Sequence, residues 1–260
     1  MSNASDIPPP PWQRTGKRPT KKKREPITQE AIVDKAIEVL DAEGLDGLSM
    51  RRIAEELGTG AATLYWHVGN KDGLLDLVFD RIIAEQHVPD PEPERWQEQL
   101  KEVARNMRSA IASHRDVVEL SLGRIPMGPN ALTWSERALA ILRSGGVPDR
   151  LALRGLWLLT SVVNGFTMDE NADYTPTTGE TDVTAVAAQM ASKYIASLPP
   201  ERFSNMVEVA HEYQAIDRDE SFELLLDLFV DGLAKRAASE SGHDIGAKPA
   251  ARSPRRRKSK

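Results

Sequence analysis

Residues 47–76 constrain the fold of this chain most, because three residues stand at the spacings of a helix-turn-helix. A small residue, Ala54, lets a second helix cross close to the first, and Gly58 can take the positive φ that a short turn needs. An apolar residue, Leu64, can then pack back on the first helix. The spacing alone fits an ordinary helical hairpin as well as a module that lays one helix in the major groove of DNA.

Outside this segment, apolar residues recur at the spacing of amphipathic helices, and no run shows the alternation and turns of a β-hairpin. Thr28, Ser49 and Asn70 stand where their side chains can cap N-terminal helices. We expect the first helix to end at Glu43-Gly44 and the recognition helix to cover about residues 61–67. The sequence therefore predicts an all-α protein, with further helices near residues 95–113, 117–122, 130–144, 149–170, 183–197, 201–209 and 221–236.

Proline and charge divide the chain into four parts. Prolines at residues 89–93 break the helical pattern and predict a boundary between a helix-turn-helix domain, 27–88, and a helical domain, 89–238. Residues 1–26 carry a net charge of +5 and residues 246–260 one of +7, so with −5 overall the stretch between them carries −17. We expect residues 1–26 and 239–260 to be disordered. The first would contact DNA as a basic arm, and the second either binds a polyanion or is simply solvated.

Composition argues against several other classes of protein. The chain has no cysteine, so it has no disulfide and no cysteine–zinc site, which fits a reducing cytosol. The apolar run at residues 155–163 is too short to span a bilayer, and the N-terminus lacks the apolar core of a secretory signal. The chain contains none of HExxH, GxSxG, a Walker A sequence or GxGxxG. We therefore expect a cytoplasmic protein with no enzymatic activity, cofactor, metal site or membrane partner.

From Ile27 to Asp76 the chain resembles the N-terminal domain of the TetR (tetracycline repressor) family of bacterial transcription regulators. The match from Ile27 to Asp76 covers about a fifth of the chain, and within it the segment TLYWHVGNKDGLLD is especially similar to the tetracycline repressors. Weaker similarity continues through RWQEQ, HRDVVELSLG, VVNGFT and FELLLDLFVDGL. The resemblance implies an N-terminal three-helix DNA-binding domain followed by a C-terminal helical bundle that binds a ligand and forms a dimer.

The resemblance assigns DNA contacts to one face of the motif. Arg51 matches a base-contacting arginine, and arginine can pair with O6 and N7 of guanine. Ala61 and Ala62 stand where the tetracycline repressors have glutamine and proline, which implies a different operator sequence. Tyr65 and Trp66 are also compatible with a partly structural role. The implied DNA contacts are Ser49, Arg51, Ala61, Ala62, Thr63, Tyr65, Trp66, His67 and Lys71.

The resemblance also implies a ligand pocket inside the C-terminal bundle. Ser121 stands where the tetracycline repressors place a magnesium-ligating histidine, and a hydroxyl is a poor replacement, which argues against a magnesium–tetracycline ligand. His87 matches a drug-binding histidine but equally fits a hinge residue, and Trp96, Trp157 and Met107, each taken alone, fit core packing better than ligand contact. The implied lining is His87, Trp96, Met107, Ile111, Leu120, Ser121, Trp157, Asn164 and Thr167.

Two helical segments, at residues 151–166 and 222–233, are apolar on more than one face. Such a helix is either the centre of a monomer core or packs against the core on one face and a second subunit on another. In the family these helices form a four-helix dimer interface. The sequence therefore predicts a cytoplasmic, nucleoid-associated homodimer that binds double-stranded operator DNA as a repressor and is released by a small molecule. The alternative is a DNA-binding regulator controlled by a protein partner, or an activator, without a small-molecule inducer.

Overall fold

The computed structural model describes residues 26–171, 183–214 and 217–244. These residues form α-helices joined by loops and two short 3-10 turns, and no strand occurs among them, which confirms the all-α prediction. The helices are α1 (Gln29–Gly47), α2 (Met50–Glu56), α3 (Ala61–Val68), α4 (Lys71–Ile83), α5 (Trp96–Ala112), α6 (Val117–Ser121), α7 (Pro129–Ser144), α8 (Asp149–Asn171), α9 (Val183–Ala196), α10 (Pro200–Glu208) and α11 (Arg218–Asp244).

Side-chain caps fix where three of the first four helices begin. The hydroxyl of Thr28 accepts from Ala31 N at 3.2 Å at the start of α1, and that of Ser49 accepts from Arg52 N at 3.2 Å at the start of α2. Asn70 Oδ1 accepts from Gly73 N at 2.7 Å at the start of α4. Each bond satisfies a backbone donor that has no partner inside the helix, and all three predicted caps are confirmed.

The end of α1 differs from the prediction. Gly44 leaves helical geometry, with φ 76° and ψ 179°, but the chain resumes one helical turn and α1 ends at Gly47. The cause lies in the other half of the molecule, because Asp116 Oδ2 accepts from Leu45 N at 2.8 Å and holds this extra turn. A Cβ on Gly44 would lie 2.6 Å from the same oxygen, so the kink needs glycine. The sequence around Gly44 does not reveal a contact from a residue that distant.

Helix α4 joins the two halves of the protein. Its buried stripe, which includes Leu74, Val78 and Ile82, belongs to one continuous core shared by the N-terminal helices and the bundle. It packs against α1 and α3 on one side and against α5, α6 and α7 on the other. Helix α4 therefore connects the bundle to α3 through direct contacts.

The bundle consists mainly of α5, α7, α8 and α11. Two arginines of α5 tie it to its neighbours: Arg105 donates to Glu223 of α11 at 2.7 and 2.8 Å, and Arg108 pairs with Glu170 of α8. Helix α11 runs from Arg218 to Asp244 and is longer at both ends than the predicted 221–236. Residues 239–244 belong to α11, so the disorder predicted for 239–260 is wrong for this part. The basic segments 1–25 and 245–260 lie outside the described residues, so the structure does not bear on the predicted disorder there.

Helix α8 is long and apolar enough, over Asp149–Glu170, to cross a membrane by length and composition alone. The sequence predicted no span because the uninterrupted apolar run is short, whereas the complete helix passes this test. A core helix of a soluble protein passes the same test, and α8 packs against α5, α7 and α11 here. Only 33% of its apolar window is buried in this single chain, so α8 presents an uncovered apolar face.

Candidate DNA-binding surface and ligand cavity

The helix-turn-helix has the geometry that its spacing predicts. Gly58 takes φ 60° in the turn between α2 and α3. Ala54 and Leu64 are buried where the two helices meet, which fixes one face of α3 against α2. The opposite face is open: Trp66 is 82% exposed and Tyr65 is 49% exposed. Large aromatic side chains left this open on a short helix form a surface that is free to contact another molecule.

The predicted DNA-contact residues lie together at this surface. Ala62 and Thr63 are exposed on α3, Ala61 and His67 are partly buried, and Lys71 is exposed at the start of α4. The backbone of α3 is anchored from behind, because Gln29 Nε2 donates to His67 O at 2.9 Å. Ser49 is exposed at the start of α2, and its oxygen caps the helix while its O–H remains able to donate to a phosphate.

Two neighbouring arginines of α2 have different roles. Arg51 is 88% exposed, and its Nε donates to Glu55 Oε1 at 2.9 Å on the same helix. Arg52 instead bridges Glu56 on α2 and Glu43 on α1, with 2.8 Å between its Nε and Glu43 Oε1. The hydrogen bonds that Arg52 donates to Glu43 and Glu56 raise the pKa of Arg52. Arg52 therefore joins α1 to α2, and Arg51 is the arginine of the pair that is oriented towards solvent.

A cavity of about 470 Å³ lies in the bundle beside α4. Its walls come from α4, α5, α6, α7, α8 and the loop between α6 and α7. Most of the lining is apolar or aromatic, with a few hydroxyl and amide groups. A volume in this range and a lining of this kind are typical of small-molecule sites.

Five of the nine predicted pocket residues line this cavity: Met107, Ile111, Ser121, Trp157 and Asn164. The Ser121 hydroxyl donates to Val118 O at 2.7 Å, so it is already paired within α6.

The other four predicted pocket residues do not line this cavity. Trp96 is buried against Gly145, where a Cβ would lie 2.2 Å from its ring. Leu120 and Thr167 are buried in the core, and the Thr167 hydroxyl donates to Val163 O at 3.0 Å. His87 is exposed and lines a neighbouring cavity of about 420 Å³, which shares Trp134 with the first.

Arg124 and Trp134 are among the cavity residues that sequence reasoning missed. Arg124 lies in the loop after α6, and the sequence offers no periodicity there that would mark it. Trp134 lies on α7 and is 9% exposed, and its Nε1 is buried without a hydrogen-bond partner. Its place on an amphipathic helix resembles that of any core tryptophan, so its unpaired donor appears only in the folded chain.

Helix α4 is held by the loop after α6 and by the start of α7. Arg124 pairs with Asp76, lies 3.3 Å from Asp72 Oδ1 and donates to Asp72 O at 3.2 Å. One turn further along α4, Asp80 is buried and accepts from Ala131 N at 2.9 Å. These aspartates stand four residues apart, so they share one face of α4.

Asp80 is held closely by the beginning of α7. Asn130 donates to Asp80 Oδ2 through its backbone N at 3.3 Å and its side-chain nitrogen at 3.0 Å. The carboxylate therefore caps α7 from another helix. A Cβ on Gly128 would lie 2.2 Å from Asp80 Oδ1, so the close approach needs glycine there.

A histidine joins the two halves of the protein on another side. His114, after α5, lies 3.0 Å from Asp41 on α1 and 2.9 Å from Glu85 after α4. Burial opposes a charge on this imidazole, but its hydrogen bonds to the carboxylates of Glu85 and Asp41 outweigh burial and raise the pKa of His114. The protonated ring is thus the form that this contact favours. Within residues 26–171, 183–214 and 217–244 no group of three or more His, Cys, Asp or Glu side chains could hold a metal ion.

Models of known protein families match both halves of the chain. Residues 32–78 match the model of bacterial regulatory proteins of the tetR family, and residues 88–237 match that of the tetracyclin repressor-like C-terminal domain. The HTH-type transcriptional repressor DrrR1 of Streptomyces coeruleorubidus is 31% identical over 88% of this chain and 85% of its own. The tetracycline repressor protein class A of Escherichia coli is 29% identical over 79% of this chain and 89% of its own.

Solved structures give the same result. The structure of ActR from Streptomyces coelicolor without ligand has a TM-score of 0.75 and 43% identity, covering 83% of this chain and 98% of that one. ActR in complex with actinorhodin has a TM-score of 0.74 and 44% identity, covering 81% and 96% of the two chains. With an open helix-turn-helix surface, a bundle cavity and matches along most of its length, the chain belongs to the TetR family of bacterial transcription regulators.

Proposed function

We propose that this protein is a homodimeric repressor that binds its operator through residues 27–88 and is released when a small molecule binds within residues 89–238. The observation that carries the proposal is the position of the cavity. Its lining includes Phe79, Ile82 and Ile83 of α4, and the loop that holds α4 also forms part of its wall. A molecule bound there acts directly on the element that supports the recognition helix.

In this proposal α3 enters the major groove, and the residues expected to contact DNA keep the roles that their exposure allows. Arg51 reads a base, Thr63 contacts a base edge or phosphate, and Tyr65, Trp66 and His67 contact the backbone. Ala61 and Ala62 offer methyl groups, which can touch thymine but form no hydrogen bonds. The operator therefore differs from that of the tetracycline repressors. Residues 1–26 add sequence-independent attraction through their net charge of +5.

The proposed inducer is a largely apolar molecule that binds without magnesium. The lining is rich in aromatic and aliphatic groups, and Ser121 supplies only a hydroxyl where a metal ligand would be needed. The related protein ActR has been crystallised with actinorhodin and with (S)-DNPA, so a helical bundle of this kind accepts organic ligands. An open cavity of about 470 Å³ favours this mode over control by a protein partner, for which a filled bundle would suffice.

The proposed dimer interface is the apolar face shared by α8 and α11. Leu153 and Trp157 on α8 are 62% and 68% exposed, and Leu224 and Leu228 on α11 are 58% and 67% exposed. Each pair stands four residues apart on its helix, and the two helices pack together, so the four side chains form one surface. A two-fold dimer would present two recognition helices to half-sites about 34–36 Å apart, or a multiple of this.

Release follows as a shift between two arrangements of α4. The ligand favours the arrangement that binds DNA poorly, by no more than its difference in affinity for the two. A change from 1:99 to 99:1 needs about 5.5 kcal/mol. We place the protein in the bacterial cytoplasm, associated with the nucleoid while bound to DNA.

The test is fluorescence anisotropy of the full-length protein on the DNA upstream of its own gene, at two salt concentrations and with excess nonspecific competitor. The expected result is binding that survives competitor, with one dimer per site. Binding that competitor abolishes would reduce the interaction to the charge of the basic segments. Failure to select a preferred site from random DNA as well would overturn the proposal.

A further inference from the structure

The lining of the cavity carries a positive charge but no negative charge. Its residues, all of which the structure describes, include one charged side chain, Arg124, and no carboxylate. The stretch of chain between the basic segments carries a net charge of −17, so an acid-free cavity is not what composition would give. Arg124 is also only 17% exposed, so its charge acts in a site of lower dielectric than water.

One residue of the cavity wall carries an unused hydrogen-bond donor. Trp134 Nε1 is buried and has no partner, and Trp134 lines the cavity. Buried polar groups are almost always paired, so this unpaired indole N–H is available to an acceptor oxygen of a ligand once the Trp134 ring turns its nitrogen into the cavity. The two features require different parts of one ligand: an anion for Arg124 and a neutral or charged acceptor for Trp134.

The contacts of Arg124 allow exchange of its partners. Its Nε donates to Leu120 O at 3.0 Å, which holds the guanidinium in place independently of α4. The remaining contacts are with Asp72 and Asp76 on α4, whose side chains are 83% and 63% exposed. These carboxylates return to water at little cost when Arg124 finds another anion, whereas Arg124 itself needs a partner because it is largely buried.

We propose that the ligand is a largely apolar acid whose anionic group pairs with Arg124 in place of Asp72 and Asp76, and whose second oxygen accepts from Trp134 Nε1. Binding then frees α4 from the loop after α6. This proposal rests on the proposed ligand-released repressor and specifies the chemistry of the same cavity. The proposal also distinguishes charged from neutral ligands of the same shape. A neutral molecule fills the cavity but leaves α4 held by Arg124.

Three fluorene derivatives test the proposal by isothermal titration calorimetry on the full-length protein. Fluorenone-2-carboxylic acid has both the acid and the acceptor, fluorenone-2-carboxamide lacks the charge, and fluorene-2-carboxylic acid lacks the ketone. The expected order has the first tightest, with the amide weaker by about tenfold or more, because hydrogen bonds to charged groups are the stronger kind. Equal binding of acid and amide, or no binding of any probe, would overturn the proposal.

Variants assign the effects to their residues. Arg124→Gln is expected to remove the preference for acid over amide, and Trp134→Phe the preference for the ketone. The matched control is Arg137→Gln, since Arg137 is on α7, pairs with Asp90 at 2.9 Å and does not line this cavity. The double variant Asp72→Asn with Asp76→Asn should bind the acid more tightly and the amide unchanged. A purely structural role of Arg124 would give no such gain.

Hydrogen exchange of the α4 amides tests the release of α4 without DNA. The acid should speed exchange in α4, and the amide should not. In Arg124→Gln, exchange in α4 should already be fast without ligand. If the probes and exchange behave as expected but operator binding fails, only the repressor proposal is lost. If operator binding holds but acid and amide act alike on α4, only the ligand proposal is lost.

Discussion

The neighbouring side chain of Glu55 limits which contacts Arg51 can make in the proposed DNA complex. The Nε of Arg51 donates to Glu55, and no other partner of Arg51 appears within the described residues. The two terminal nitrogens therefore remain for a base, and these can bind guanine end-on through O6 and N7. Glu55 acts as a positioning residue in this arrangement, because an exposed ion pair of this kind adds little to stability itself.

Replacing Arg51 by lysine tests this role. Lysine keeps the charge but cannot form two parallel hydrogen bonds. We expect operator affinity to fall by about 1–3 kcal/mol, with preference lost at one G·C pair while nonspecific affinity and its salt dependence stay the same. Anisotropy titrations on the operator and on single-base variants measure both effects. Arg143→Lys is the control, since Arg143 pairs with Asp149 far along the chain, and an equal loss there would contradict the assignment.

His114 makes stability depend on pH. Because its pKa is raised in the folded protein, the contact with Asp41 and Glu85 stabilises fully below the unfolded pKa of about 6.5. That contribution is lost as pH rises through the folded pKa. We expect His114→Asn to flatten this part of the pH dependence of the unfolding free energy, measured by urea denaturation. His211→Asn provides the matched control, because it removes an exposed histidine whose partner is the adjacent Glu212, and the change at His114 is expected to exceed the change at His211.

At the scale of elements, α4 is held at three successive turns of one face. Arg124 contacts Asp72 and Asp76, and the first residues of α7 contact Asp80. Asp80 differs from the other two in being buried, with 7% exposure. The exposed contacts are suited to exchange, and the buried one keeps α4 on the bundle while they change.

The contribution of Asp80 can be measured by truncation. Asp80→Ala removes the acceptor of Ala131 N and Asn130 and leaves buried donors unpaired. We expect a loss of about 1–3 kcal/mol in the free energy of unfolding, by urea denaturation followed by circular dichroism. Asp90→Ala, at an aspartate that is 96% exposed, should change it by no more than about 0.5 kcal/mol. A loss as small for Asp80 would mean that water replaces the carboxylate without cost.

The same elements show how far the sequence could predict the structure. Caps at Thr28, Ser49 and Asn70 and the glycine turn depend on residues within one helix of each other, and all were predicted correctly. The extra turn after Gly44 was not, because Asp116 supplies it from 71 residues away. Distant contacts of this kind leave no local pattern.

The two candidate sites also differ in how far the sequence could predict them. The DNA-facing residues could be assigned because one short segment carries them, and their roles stay a prediction that only DNA binding can test. The cavity is assembled from five helices and a loop, so similarity placed Met107, Ser121 and Trp157 at it but also included the core residue Trp96. Arg124 emerged only from the folded chain, since its importance lies in what it touches.

At the scale of the whole molecule, the cavity and the proposed dimer interface share residues. Leu153 and Trp157 line the cavity and also belong to the exposed face of α8. A second subunit packed on that face would therefore also close one side of the cavity. Subunit packing and ligand binding would then depend on each other, as linkage requires when two events share the same groups.

Charge placed on the apolar face of α11 tests the dimer. Leu228→Lys buries an unpaired ammonium in the proposed interface, so we expect sedimentation velocity to show monomers where the unmodified protein sediments as a dimer. The variant should keep its helical circular dichroism, since Leu228 is exposed in the single chain. Leu132→Lys is the control, because Leu132 is similarly exposed but lies on α7 and should leave the dimer intact. A Leu228→Lys protein that remains dimeric would place the interface elsewhere, and an operator bound by two separate monomers would remove the need for one.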